Sequence, residues 1–168
     1  MAVLKLVPLL VVLSLWLGCS SVSAGGNTWP LQRVHVYLNN LLYIREAPKY
    51  HPVLHTHCHS EDNDLHDHAI TYFNQQEINF KVNLYGTTYF KCDIWWNDHQ
   101  GNIKTVSNYN LYDFKRDNMK CKHNDCFWNA REDGLYFLEV DSKVNPKLMI
   151  GWKTIPGAGK KGRVKQGL

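Results

Sequence analysis

The chain has 168 residues, of which 44% are hydrophobic, 12% aromatic and 20% charged. That balance excludes a disordered chain and fits one globular domain. The net charge of +4 hides an asymmetry: no acidic residue follows Asp141 and seven basic ones do, while residues 25–141 hold eleven basic against fifteen acidic residues, hence −4, so a uniformly basic nucleic-acid binder is excluded.

Lys5, the apolar run over 6–18 and the small residues of 19–24 have the layout of a secretory signal peptide, with cleavage expected before Gly25. The run is shorter than the roughly 20 residues that a membrane-spanning helix needs. Residues 33–39 alternate, with Val34, Val36 and Leu38 on one face, and predict a first strand ended by the Asn39-Asn40 turn signal. Residues 41–44 are a brief apolar run closed by a charged segment with prolines. A second strand is predicted over 53–59, with Leu54, Thr56 and Cys58 inward and His55, His57 and His59 outward. The hydrophilic run 60–68 reads as an exposed loop. Ile78, Phe80 and Val82 mark a third strand.

The fold is organised around residues 86–96, GTTYFKCDIWW, in which Phe90, Cys92, Ile94 and Trp96 share an uncharged face. Residues 97–102 form a turn, and 103–106 and 109–114 are short aromatic-rich runs. Residues 115–125 read as a second polar loop leading to Cys126. Asp133-Gly134 is a tight turn, with Gly134 expected at positive φ, and 134–140 is the last clear strand. The segment after Asp141 reads as a loose basic tail, in which Leu148, Ile150 and Trp152 could add an edge strand.

These elements imply an all-β fold: an antiparallel β-sandwich of about seven or eight short strands. The expected organisation is a signal peptide over 1–24, a β-sandwich domain over 25–141 and a flexible tail over 142–168. With Cys19 removed, four cysteines remain, Cys58, Cys92, Cys121 and Cys126. In an oxidising compartment they form two disulfides, for which three pairings exist. The inward strand positions of Cys58 and Cys92, and the returning loop that holds the other two, favour Cys58–Cys126 with Cys92–Cys121.

The alternating His55, His57 and His59 could meet a divalent metal, but successive pairs on a strand lie about 6–7 Å apart, which suits two ligands better than three. A solvated face without catalysis is expected there. Glu61, Asp62, Asp64 and Asp67 lack the glycine and the closing glutamate of an EF-hand loop, and also read as solvated. No G-x-S-x-G elbow, P-loop or dinucleotide fingerprint occurs. No catalytic residue, metal or cofactor is therefore assigned.

LHTHCHSEDNDLHDH, FKVN followed by GTTYFKCDIWW, and LYDFKRDNMKCKHNDCFWNAREDGLY together resemble the ordered motifs of the plant self-incompatibility proteins, or S-protein homologues. The resemblance covers about 34–140. It implies a small secreted β-sandwich with two disulfides, and founding members that serve as stigma ligands recognised by pollen. Two departures stand out: His66 replaces the family's glycine after Asp-Leu, and the basic tail lies outside the shared core. The expected function is a monomeric, extracellular, non-enzymatic ligand of a plasma-membrane receptor on another cell, without nucleic-acid binding or stable membrane insertion. Recognition is assigned to the charged loops, through Glu61, Asp62, Asp64, Asp67, Lys115 and Arg116. The alternatives are a secreted hydrolase or metal-binding protein using loop carboxylates or the histidine face, and a defence protein whose tail binds anionic membranes.

Overall fold

The alternation read in residues 86–96 is what the computed structural model builds on. It describes residues 32–139 and 146–157. The signal-peptide assignment at 1–24 and most of the basic tail (142–145 and 158–168) lie outside the described residues. One sheet holds β1 (Arg33–Asn40), β4 (Gln75–Lys81), β7 (Asp125–Arg131), β8 (Gly134–Leu138) and β9 (Lys147–Gly151), in the order β4-β1-β7-β8-β9. The other holds β2 (Leu54–His59), β3 (Asp64–Ile70), β5 (Tyr89–Asn97), β6 (Ile103–Asp113) and β10 (Lys153–Ile155), in the order β10-β6-β5-β2-β3. A four-residue helix, α1 (Phe114–Asp117), follows β6.

The two sheets close over one core. Phe90, Cys92, Ile94 and Trp96 of β5 point into it, against Trp128, Phe137, Leu38 and Leu54, all buried. The sandwich is antiparallel except at one seam: β1 runs parallel to β7, Val36 beside Cys126. Burying a large side chain in such a core contributes about 1.5–3 kcal/mol, so these rings and branched chains dominate the stability.

Three expectations are corrected. The disulfides join Cys58 to Cys92 and Cys121 to Cys126. β2 and β5 are neighbours, and their register sets Cys58 directly opposite Cys92 with Cα atoms 4.1 Å apart. Two inward cysteines on paired strands meet each other before they meet a loop. Cys121 and Cys126 close a small turn, in which Lys122 and Asp125 exchange backbone hydrogen bonds and His123 and Asn124 both take positive φ.

The polar stretch 60–68 is only partly loop, because Asp64–Ile70 forms β3 on the outer edge of β2. A strand of this kind shows no apolar alternation, since it buries little and its exposed edge tolerates charge. Beyond Asp141 the added edge strand expected around Leu148 and Ile150 forms as β9, which pairs with β8; β10 pairs with β6, and the Trp152 indole donates to Arg131 O at 2.7 Å. Finally, Gly134 does not have positive φ. It is needed for close approach, because a Cβ there would overlap Ile150 O and lie 2.7 Å from Leu148 Cδ1. The turn itself is Glu132-Asp133, between paired Arg131 and Gly134.

In the chain-entropy account, the disulfide spanning 34 residues stabilises more than the one spanning 5. Replacing Cys58 and Cys92 together by alanine should cost about 4 kcal/mol, and replacing Cys121 and Cys126 about 2 kcal/mol. Urea unfolding of the two double variants measures this; equal costs, or a larger loss for the second pair, would contradict it.

Candidate functional site

Two of the residues singled out from sequence, Glu61 and Asp62, lie at the end of the sandwich where β2, β4 and β6 finish. There the β2–β3 connection, residues 60–63, folds back on itself, with Ser60 N donating to Asn63 O at 2.8 Å. It presents Glu61 and Asp62 to one wall of a cleft of about 380 Å³. Arg33 at the start of β1 and Lys81 at the end of β4 also line it, and Phe80 and Phe90 contribute apolar surface. Arg33 is steadied by a 2.5 Å hydrogen bond to Asn79 Oδ1.

The remaining wall is the β4–β5 loop. Asn83 holds it from within: its amide N–H donates to Thr88 Oγ1 at 2.9 Å, its side-chain NH2 donates to Thr87 Oγ1 at 2.7 Å, and its Oδ1 accepts from Thr87 N at 2.9 Å. Gly86 takes φ 63 in this turn, and a Cβ there would lie 2.6 Å from the Phe114 ring. The tip therefore projects Leu84 and Tyr85, the latter 88% exposed, on a backbone locked by its own side chains. The hydrogen bonds of this loop leave no trace in the sequence, because Asn83, Arg33 and Lys81 stand at ordinary polar positions of an alternating pattern and give no local signal.

Asp64 and Asp67 do not face the cleft; they belong to β3 and hold His57. Asp67 Oδ1 lies 2.8 Å from Nδ1, and Asp64 Oδ1 lies 3.1 Å from Nε2. With a carboxylate on each nitrogen the doubly protonated ring is favoured: Asp67's hydrogen bond raises its pKa, with the charges of Asp64, Asp67 and Asp93 adding to it against a partial opposing desolvation. Asp64 is in turn pulled below its ordinary pKa, first by the backbone N–H of His66 and then by the nearby histidines, against some opposing desolvation. His55 is occupied differently, stacked on Trp95 with centroids 5.5 Å apart. The histidine face is thus divided between an ion-paired clip and an aromatic stack. Among the described residues no group of three or more His, Cys, Asp or Glu side chains is placed to hold a metal ion.

His66 occupies a left-handed position, φ 57, in the bulge where three steps of β3 oppose two of β2. This backbone geometry suits glycine, and here a histidine bears the strain while its N–H donates to Asp64 Oδ1 at 2.8 Å.

Arg116 is committed inward. Its guanidinium makes a two-pronged pair with Asp117, at 2.6 and 2.8 Å, donates to Asn110 O at 2.8 Å, and lies 5.4 Å from the Trp128 ring centroid. Asp117 is buried, 1% exposed. This pair ties α1 to the core. Lys115, by contrast, is exposed, and its N–H donates to Asp113 Oδ1, the helix cap. Of the six charged positions expected to recognise a partner, only Glu61 and Asp62 line the cleft.

Residues 35–152 match the model of the plant self-incompatibility protein S1 family. The chain is 30% identical to self-incompatibility protein S1 of Papaver rhoeas over 88 residues, 52% of this chain and 60% of that protein. It is 30% identical to S-protein homolog 5 of Arabidopsis thaliana over 95 residues (56% and 68%), and 28% identical to S-protein homolog 6 over 146 residues (84% and 94%). The match thus spans about 60% of the length of the Papaver relative. A solved structure of a self-incompatibility protein homologue, one of a group described as small, highly stable, secreted plant proteins, aligns with a TM-score of 0.45 at 18% identity, covering 73% of this chain and 96% of that one.

Two measurements check the clip. The raised His57 pKa means that its ionic contribution is complete below the ordinary value of 6.5 and fades as pH rises through the folded-state value. The Asp64 contribution is present above 3.8 and is lost as pH falls through its lowered value, so the clip is whole between these limits. An NMR titration should place the His57 midpoint above 6.5 and return it toward 6.5 in Asp67→Asn; an unchanged midpoint would contradict the pairing. Separately, His66→Gly should stabilise the fold by about 1 kcal/mol in urea unfolding, because the left-handed strain is removed. A loss of stability would show that the histidine is not strained.

Proposed function

Because the chain belongs to the plant self-incompatibility protein S1 family, we propose that it is a secreted, non-enzymatic ligand for a receptor protein on the surface of another plant cell. The observation that carries this reading is the rigid cleft end of the sandwich. There Glu61, Asp62, Arg33 and Lys81 line one cleft beside a loop fixed by Asn83. Opposite charges set on fixed backbone give electrostatic complementarity without an ordering cost on binding, which is how a small scaffold obtains specificity.

A two-disulfide sandwich supplies the rigidity, and its loops supply the contacts. Asp64, Asp67 and Arg116 also have a supporting role, since those side chains hold β3 and α1 in place. Lys115 remains an exposed contact beside the cleft end, where α1 begins with Phe114 N donating to Thr88 O at 3.0 Å. Among the described residues no helix is long and apolar enough to cross a membrane.

Binding of the purified secreted protein to plant plasma-membrane vesicles tests the reading. The pair Glu61→Gln and Asp62→Asn should weaken saturable binding about tenfold or more, equivalent to about 1.4 kcal/mol, with thermal stability unchanged. Turnover of a cell-wall polymer that is lost in the same variant would replace the ligand by a hydrolase.

A further inference from the structure

At the opposite end of the sandwich, the β3–β4 connection carries a second feature that the cleft does not use. Asn74 N donates to Thr71 O at 3.0 Å, so residues 71–74 form a four-residue turn with Tyr72 and Phe73 at its centre. Phe73 has φ 62 and is 73% exposed. Positive φ at the third place of a turn suits glycine or asparagine; for a bulky aromatic residue it is an outlier. An asparagine stands one position later, so the strained place is given to the phenylalanine rather than to the residue that would tolerate it.

The conformation is imposed from beneath by Asn40, a polar residue with no exposed surface. Its carbonyl accepts from Phe73 N at 2.9 Å and its own N–H donates to Asn74 O at 2.9 Å. Its side-chain NH2 donates to Ile70 O at 2.7 Å and to Pro52 O at 2.9 Å, and its Oδ1 accepts from Leu42 N at 3.1 Å. The Asn40 side chain thereby ties the end of β1 to the entry of β2 and the end of β3, while its main chain holds the turn. Beside the turn, His51 stacks on Tyr72 at 4.7 Å, and Tyr72 lies 4.2 Å from Phe73.

We propose that Tyr72 and Phe73 form a second recognition site: a pre-set aromatic knuckle that inserts into an apolar socket on a folded protein partner. Strain held in place by a satisfied buried network is a mark of function rather than of stability. An exposed aromatic ring backed by a half-buried one on fixed backbone is the composition of an interface hot spot, gaining affinity because little freedom is lost on docking. A lipid surface fits less well. The turn carries no cationic side chain, and two rings bury less apolar surface than a single acyl chain, which itself binds bilayers only marginally. A sugar platform fits less well too, since the Tyr72 and Phe73 rings are tilted by 49° and form no flat stacking surface. The knuckle rests on the receptor-ligand reading above and adds a contact at the far end of the molecule from Glu61 and Asp62.

The test compares labelled wild-type protein, Phe73→Asn and Tyr72→Ser on plant plasma-membrane vesicles, on the same vesicles stripped by protease, and on liposomes of the extracted lipids. Saturable binding to intact vesicles, lost on stripping and absent from liposomes, should weaken tenfold or more in Phe73→Asn while its Tm rises, with a smaller loss in Tyr72→Ser. Binding that survives in both variants, binding to liposomes, the lack of any protease-sensitive binding, or a fall in the Tm of Phe73→Asn would each overturn the proposal. If the Glu61→Gln, Asp62→Asn pair loses binding and Phe73→Asn does not, the ligand reading stands and the knuckle falls.

Discussion

Cys58 and Cys92 face each other across two adjacent strands with no surface exposed on either, and most of the molecule follows from that contact. The bond pins the β2–β5 register at a position where both strands point inward. A one-residue slip would turn every side chain of β2 to the wrong face. With the register fixed, Leu54 and Thr56 enter the core beside Ile94, while His55 and His57 are held on the outside. His57 can then receive β3 through Asp64 and Asp67, which carries the chain into the turn at Phe73 at one end and into the cleft at the other.

What the sequence made legible was the interior. The apolar alternation of β1, β4 and β5 survives intact, because a buried face tolerates no charge and a period of two is hard to produce by chance in residues that are also β-branched or aromatic. The edges were not legible. β3 and β10 bury little, so their composition is that of a loop, and only their hydrogen-bonding to a neighbouring strand makes them strands, while β9 was legible only as a possible edge strand. Cysteine pairing failed for a related reason: inwardness could be read residue by residue, but which two inward strands are neighbours is a property of topology. Gly134 was recognised as necessary for the wrong cause, since a close approach by β9 cannot be seen from β8 alone.

The candidate site divides along the same line. Charge was read correctly as a mark of exposed segments, but not the difference between a charge offered to solvent and one spent on structure. Arg116 meets Asp117 and two aromatic rings, and Asp67 meets a histidine ten residues away. Glu61 and Asp62 instead line the cleft. The asparagines were the least legible of all. Asn40 belongs to a turn signal in the sequence and Asn83 to the polar face of a strand, yet each holds a loop that presents exposed aromatic surface. Both ends of the sandwich thus rest on an asparagine, through its side chain at Asn83 and through its main-chain N–H and C=O at Asn40.

That shared construction is the central claim: the loops at the two ends are rigid before any partner arrives. Backbone ¹⁵N relaxation of the free protein tests it directly at Phe73, Asn83 and Thr87. Order parameters of about 0.85, equal to those of the β5 amides, are predicted. Values below about 0.6 at these amides would contradict it, because loops that flexible could not hold the hydrogen bonds of Asn40 and Asn83.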